Sequence, residues 1–192
     1  MVKVDRRIRK SQEAIKTAVT ELMMNKDFDH ITIQDIADKA DVSRRTIYLH
    51  YTDKFDLLNK LITEHIENLR EICESTEMDT GYNNMVFMWF EYFEKHFLFF
   101  SALLASKGGS FFRKQFLDFF IDELQNGKNG NESVSGAKNT ELLKDQLVEV
   151  QFVGGAIIGV VEWWFTHEKP LPPSVMAERI GAMLERNLDT NP

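Results

Sequence analysis

An all-α chain of about nine helices is predicted, and three observations predict it. No glycine or proline precedes Gly81 in the 192-residue sequence, and so long a stretch without either reads as helices joined by tight polar turns. Apolar residues recur three and four apart, the period of a helix with one buried face, and no segment alternates convincingly in the manner of a strand. Cap-forming residues stand directly before several of the periodic runs.

The elements follow in order. Ile8, Ile15, Ala18, Val19 and Leu22 share one face of a first helix over about residues 6–25. Phe28 and Ile31 then fall in a short connection. Thr32 with Asp35 caps a second helix of about 32–39, Ser43 a third of about 43–50, and Asp53 with Asp56 a fourth of about 53–75. Leu57, Leu58, Leu61, Ile62, His65, Ile66 and Leu69 give that fourth helix a continuous apolar face. Beyond Gly81 a helical stretch of about 82–105 is interrupted by Glu94, Lys95 and His96, so it reads as one helix or two. A helix of about 109–125 follows. Residues 126–140 hold ten Asn, Gly, Ser or Thr among fifteen and are predicted to be a flexible loop. A long helix of about 141–167 is stopped by Lys169-Pro170-Leu171-Pro172-Pro173, and a last one covers about 174–188. The division expected is a small domain, 1–52, and a larger one, 53–192, in which 53–75 is the connecting helix.

Bulk properties narrow the function. The net charge is −7, yet residues 1–60 carry 12 Lys and Arg against 10 Asp and Glu, while residues 61–192 carry 11 against 20. Counterion release at a nucleic acid needs positive charge at the contact surface, not a basic whole. Eleven of the 15 Phe fall between Phe87 and Phe120, which points to an aromatic core, a cavity, or both. One cysteine, Cys73, excludes an intramolecular disulfide and a cysteine-based zinc site. The polar, basic N-terminus argues against a signal peptide, and the longest apolar run, Phe152 to Val161, is half the ~20 residues of a membrane span. A cytoplasmic protein with no membrane association is therefore expected. The five histidines (30, 50, 65, 96 and 167) show no metal-ligand spacing. No glycine-rich phosphate loop and no Gly-x-Ser-x-Gly elbow occurs. Neither an enzyme nor a metal or cofactor is expected.

The second and third helices, separated by a four-residue turn, have the spacing of a helix-turn-helix. Ala37 is small where they meet, Ile36, Ala40, Val42 and Ile47 face inward, and Asp41 sits in the turn. The run ITIQDIADKADVSRRTIYLHYTDKFDLL, residues 31–58, resembles the signature of the tetracycline-repressor (TetR) family. Ile47, Tyr48, His50, Tyr51 and Lys54 fill the pattern's aliphatic, tyrosine, histidine, aromatic and lysine positions. The resemblance is motif-level over about residues 8–70 and architectural beyond. It implies an N-terminal three-helix DNA-binding domain and a C-terminal helical domain for dimerisation and ligand binding.

On that resemblance, Arg44 and Arg45 open the helix that enters the major groove, and either can bind guanine bidentately. Thr46 is placed for a base or a phosphate. Tyr48, His50 and Lys54 are expected at phosphates, with Thr32 and Gln34 as weaker candidates. The basic segment Arg6–Lys10 either reaches the DNA or remains solvated. Two departures stand out: Asp41 replaces the family's usual glycine, and Leu49 occupies a position often polar or basic, where it either meets a thymine methyl or removes a contact.

In the larger domain the resemblance implies an effector pocket. Trp89, Phe90, Phe93, His96, Phe116, Phe119 and Trp163 are its candidate lining, suited to a small hydrophobic or aromatic molecule, although aromatic stripes at helical spacing are most simply core. Gly155 and Gly159 allow close approach of a second helix. With Phe152, Trp163, Ile180 and Leu184 they are the candidate homodimer interface, intramolecular packing being the alternative. The function expected is a dimeric regulator, a repressor, on a palindromic double-stranded DNA operator, released by a small effector. The alternative is a coactivator or adaptor of the same fold controlled by a protein partner.

Overall fold

A computed structural model of the chain describes residues 6–75, 81–106, 108–128 and 139–188, and among them are nine α-helices and no strand. The helices are α1 (Arg6–Met23), α2 (Ile33–Ala40), α3 (Arg44–Tyr48), α4 (Lys54–Ser75), α5 (Gly81–Lys95), α6 (Phe97–Leu104), α7 (Gly109–Lys128), α8 (Asn139–Thr166) and α9 (Pro173–Leu188), with a 3₁₀ turn at Phe28–His30. The stretch 82–105 is two helices, because His96 leaves helical geometry at φ −106°, ψ 24°. The segment predicted as a loop over 126–140 is shorter at both ends. α7 continues to Lys128 and α8 begins at Asn139, and the rest of that segment lies outside the described residues.

The chain forms two compact units. The first comprises the residues up to His65 together with His96–Phe112. It is larger than the predicted 1–52 segment, because α6 packs against α1 and the start of α4 supplies Leu57, Leu58, Leu61 and Ile62 to the core. Ile15, Val19, Phe28, Ile36, Ile47, Phe99, Phe100 and Phe112 complete that core, each at most 4% exposed. Burying a side chain of this size contributes about 1.5–3 kcal/mol. The His65 ring is stacked on Phe99 at 4.3 Å between centroids and lies 5.0 Å from the His96 ring.

The second unit comprises Ile66–Lys95 and the residues from Arg113 onward. Here α5 packs along α9, and the interior is a set of touching rings. Trp89 lies 5.9 Å from Phe116 and 5.8 Å from Phe119, Phe90 lies 5.2 Å from Trp164, and Phe93 lies 5.8 Å from Phe165. Most of these pairs are edge-to-face, the arrangement that sets ring edges against ring faces. The buried indole N–H of Trp164 donates to the Leu171 carbonyl at 2.8 Å, so the proline-rich stop is tied to the helix it ends. No helix among the described residues is long and apolar enough to cross a membrane, and among them no three His, Cys, Asp or Glu are grouped to hold a metal ion.

Candidate nucleic-acid interface

The α2–turn–α3 unit is built by two caps and a left-handed residue. Thr32 accepts from the Asp35 N–H at 3.1 Å while the Asp35 carboxylate accepts from the Thr32 N–H at 2.8 Å, a reciprocal capping box. The Lys26 ammonium bonds the same carboxylate at 2.9 Å. That bond first, then the Thr32 groups, lower the Asp35 pKa to about 2. Asp41 ends α2 at φ 53°, ψ 46°, a conformation that aspartate tolerates better than most residues other than glycine. The turn closes when the Val42 N–H reaches the Ala37 carbonyl at 3.0 Å. Ser43 then caps α3, its side chain accepting from the Thr46 N–H at 3.1 Å. Ile36, Ala37 and Ile47 are at most 2% exposed and hold the two helices together.

This scaffold brings Arg44, Arg45, Thr46, Tyr48 and His50 together on α3 and the turn that follows. Arg44 and Arg45 are exposed. Among the described residues neither guanidinium has an ion-pair or hydrogen-bond partner, whereas Lys16, Lys26, Lys39 and Lys60 of the same unit are all paired with carboxylates. Tyr48 is 49% exposed. The Thr46 hydroxyl is 2.8 Å from that of Ser43, and the His50 ring meets Tyr51 edge-on at 6.1 Å. On α2, the Gln34 amide donates to Asp38 at 2.7 Å, and the exposed Thr32 retains a hydroxyl proton. Arg6, Arg7, Arg9 and Lys10 form the first turns of α1 and are exposed.

Lys54 has different partners from those the resemblance implies. Its ammonium donates to the carbonyl oxygens of Phe28, Asp29 and Ile31 at 3.0, 2.8 and 2.9 Å, which occupies all three of its protons. It also lies over the rings of Phe28 and Phe55 at 5.0 and 5.3 Å. The lysine therefore fastens the turn that leads into α2. Lys60 does the same for the turn after α3, donating to the His50 carbonyl at 3.0 Å and lying 5.2 Å from the Tyr51 ring. Its i, i+4 spacing from Asp56 was the only signal of that role in the sequence.

In the second unit, Trp89, Phe90, Phe93, Phe116 and Phe119 form one buried cluster, none more than 2% exposed. Two further candidates for the effector lining remain. His96 belongs to the first unit, beside His65, and Trp163 is 40% exposed on α8 with its ring 5.5 Å from His167. The cluster gains two neighbours that sequence reasoning missed: the Cys73 sulfur, which accepts from the Trp89 N–H at 3.3 Å, and the Arg70 guanidinium, 5.4 Å over the Phe119 ring. Of the interface candidates, Phe152 is 70% exposed, and a Cβ added at Gly155 or Gly159 would meet nothing within 4 Å. Ile180 and Leu184 are 5% and 2% exposed, buried within the chain. Gly154, which the sequence reading passed over, is the glycine packed inward: a Cβ there would lie 2.6 Å from Leu117 and 3.2 Å from Phe120.

Comparison with known proteins adds independent findings. The family model described as bacterial regulatory proteins, tetR family, matches residues 15–61, and that described as the transcriptional regulator C-terminal region matches residues 81–186. The chain is 34% identical over 121 residues to YxbF of Bacillus subtilis (strain 168), an HTH-type transcriptional regulator not yet characterised; the match covers 60% of this chain and 30% of that protein. The chain thus spans well under half the length of the curated relatives it matches. Among solved structures it is similar to the dihydroxyacetone kinase operon activator DhaS, with TM-score 0.65, 14% identity and coverage of 93% of this chain and 96% of the other. It is also similar to a TetR transcriptional regulator from Streptococcus agalactiae 2603V, with TM-score 0.64, 23% identity and coverage of 94% and 96%. At such identities the likeness speaks for the fold.

Proposed function

The chain belongs to the tetR family of bacterial regulatory proteins, and from that premise we propose that it is a dimeric repressor released from a palindromic operator by a small apolar or aromatic effector. One observation carries the DNA-binding part. Two guanidinium groups with no partner among the described residues stand at the capped start of α3, on a unit where Lys26, Lys39 and Lys60 are paired with carboxylates. Adjacent exposed cations repel each other, and a partner such as guanine O6/N7 or phosphate offsets that cost. Thr46 and Tyr48 on α3 and His50 in the turn after it complete the surface, and Gln34 on α2 flanks it with Thr32, the α2 cap. Lys54 contributes by fixing the turn before α2.

Dimerisation is supported by a stripe on α8. Val148, Phe152, Gly155, Gly159 and Trp163 recur at helical spacing and are all exposed, and 51%-exposed Met183 on α9 extends the apolar surface. Effector binding is assigned to the cluster of Trp89, Phe90, Phe93, Phe116 and Phe119 with Arg70, which an incoming molecule would have to part. By linkage, such a molecule and the operator weaken each other's binding by the same factor.

A second reading is favoured by the tightness of that same cluster. Rings buried to within 2% and touching one another suit a filled core, and a regulator with a filled core would answer to a protein partner.

The test is selection of duplexes from a random pool by the full chain, followed by footprinting. A protected palindrome with half-site centres about 34–36 Å apart is expected. Arg44→Ala or Arg45→Ala should lose about 1–3 kcal/mol on the selected operator and less on random DNA. Equal loss on both would make these residues phosphate contacts. A monomer with no preference for any duplex overturns the proposal. Thermal shift with apolar and aromatic compounds separates the two readings, since a bound effector raises stability by mass action.

A further inference from the structure

We propose that Leu49 is a specificity-determining residue that reads the 5-methyl group of a thymine in the major groove, an assignment that rests on the DNA-binding reading above. Leu49 is 71% exposed, more than any other large apolar side chain described. Lone exposed leucines are ordinary on protein surfaces; what sets this one apart is where it stands and how firmly it is held. It follows Arg45 by four residues, so the two share a face at the end of α3. The interior of the unit takes nothing from it: Ile47 and Tyr51, on either side, are 0% and 4% exposed and supply the packing.

The backbone that carries Leu49 is pinned from three directions. Its N–H reaches the Arg45 carbonyl at 3.1 Å, and the N–H groups of His50 and Tyr51 both reach the Ile47 carbonyl at 2.9 Å. The Lys60 ammonium holds the His50 carbonyl at 3.0 Å. The isobutyl group is therefore presented on a fixed turn, on the face it shares with Arg45, before any duplex arrives. A leucine side chain has no donor or acceptor. Among the groups a base pair shows in the major groove, the only apolar one is the thymine methyl. Contact with it removes two apolar surfaces from water, whereas the polar edges of the other bases would lose hydration without compensation.

The experiment uses the full chain and the duplex it selects. Each thymine is replaced in turn by uracil, which removes the methyl and nothing else. One thymine in each half-site is expected at which uracil lowers wild-type affinity about three- to fivefold. Leu49→Ala should bind thymine and uracil duplexes alike at that position, with thermal stability unchanged because the side chain is exposed. Wild-type protein indifferent to every uracil overturns the assignment while leaving DNA binding intact. So does a Leu49→Ala variant that still discriminates at the same thymine. Failure to select any duplex takes down both this assignment and the DNA-binding reading.

Discussion

Lys54 sits where two requirements compete for one ammonium group. A cation at the start of a helix beside a DNA-facing surface is expected to seek phosphate, yet here three backbone carbonyls from the turn before α2 take its protons. Lys54→Met keeps the apolar stem between Phe28 and Phe55 but leaves those oxygens without their donor. Hydrogen bonds to a charged group contribute about 1.5–3 kcal/mol, so denaturant unfolding should show a loss of about 2–3 kcal/mol. The salt dependence of DNA binding should keep its slope. A slope lowered by about one with stability intact would return Lys54 to the phosphates. His65 is a second residue whose role lies inside the fold. Burial first, then the His96 and Lys16 charges, lower its pKa to about 3. The unfolded chain takes up this proton near 6.5, so the stability carried by the neutral ring is complete above pH 6.5. It declines as pH falls toward 3, by up to about 1.4 kcal/mol per pH unit. Unfolding of wild type and His65→Phe across pH 7 to 4 should diverge by that dependence; parallel curves would assign it elsewhere. The corresponding window of Asp35, between 3.8 and about 2, lies below the pH 7 to 4 range of that measurement. Caps such as Thr32 and Ser43 were legible in the sequence because their partners are three residues away. The direction of Lys54 was not, since its acceptors lie 23 to 26 residues back.

Along α8 the adjacent glycines 154 and 155 point about 100° apart and have opposite surroundings. Gly154 lets Leu117 and Phe120 of α7 press against the helix backbone, whereas Gly155 and Gly159 look onto open space. Gly154→Val should destabilise the chain by roughly 1–3 kcal/mol through overpacking. Gly159→Leu should leave chain stability unchanged or slightly raised, since glycine is a poor helix former, and should weaken self-association in sedimentation. The reverse pattern would place the helix contact on the other face. Spacing in the sequence identified the helix and singled out Gly155 and Gly159 on it. It did not identify Gly154, because an inward glycine and an outward one look alike until the neighbouring helix is in place. The break at His96 was legible as an interruption by Glu94, Lys95 and His96, and the structure resolves it into two helices.

For the molecule as a whole, the all-α class was legible because it rests on local signals: absence of glycine and proline, helical period, caps. The division into units was less so. α6 returns to α1 across many intervening residues, and nothing in residues 97–104 alone says which helix they will cover. The same limit applies to His96, which falls in the first unit, and to Trp163, which is 40% exposed. Aromatic composition marks a core but does not say which rings share it. The burial pattern of the three indoles has a practical consequence. Trp89 and Trp164 are 1% and 0% exposed while Trp163 is 40% exposed, so a diffusing quencher such as iodide should reach only one of the three fluorophores. Emission from Trp163 then becomes a built-in gauge of whatever covers α8, read against an internal reference supplied by its two shielded companions.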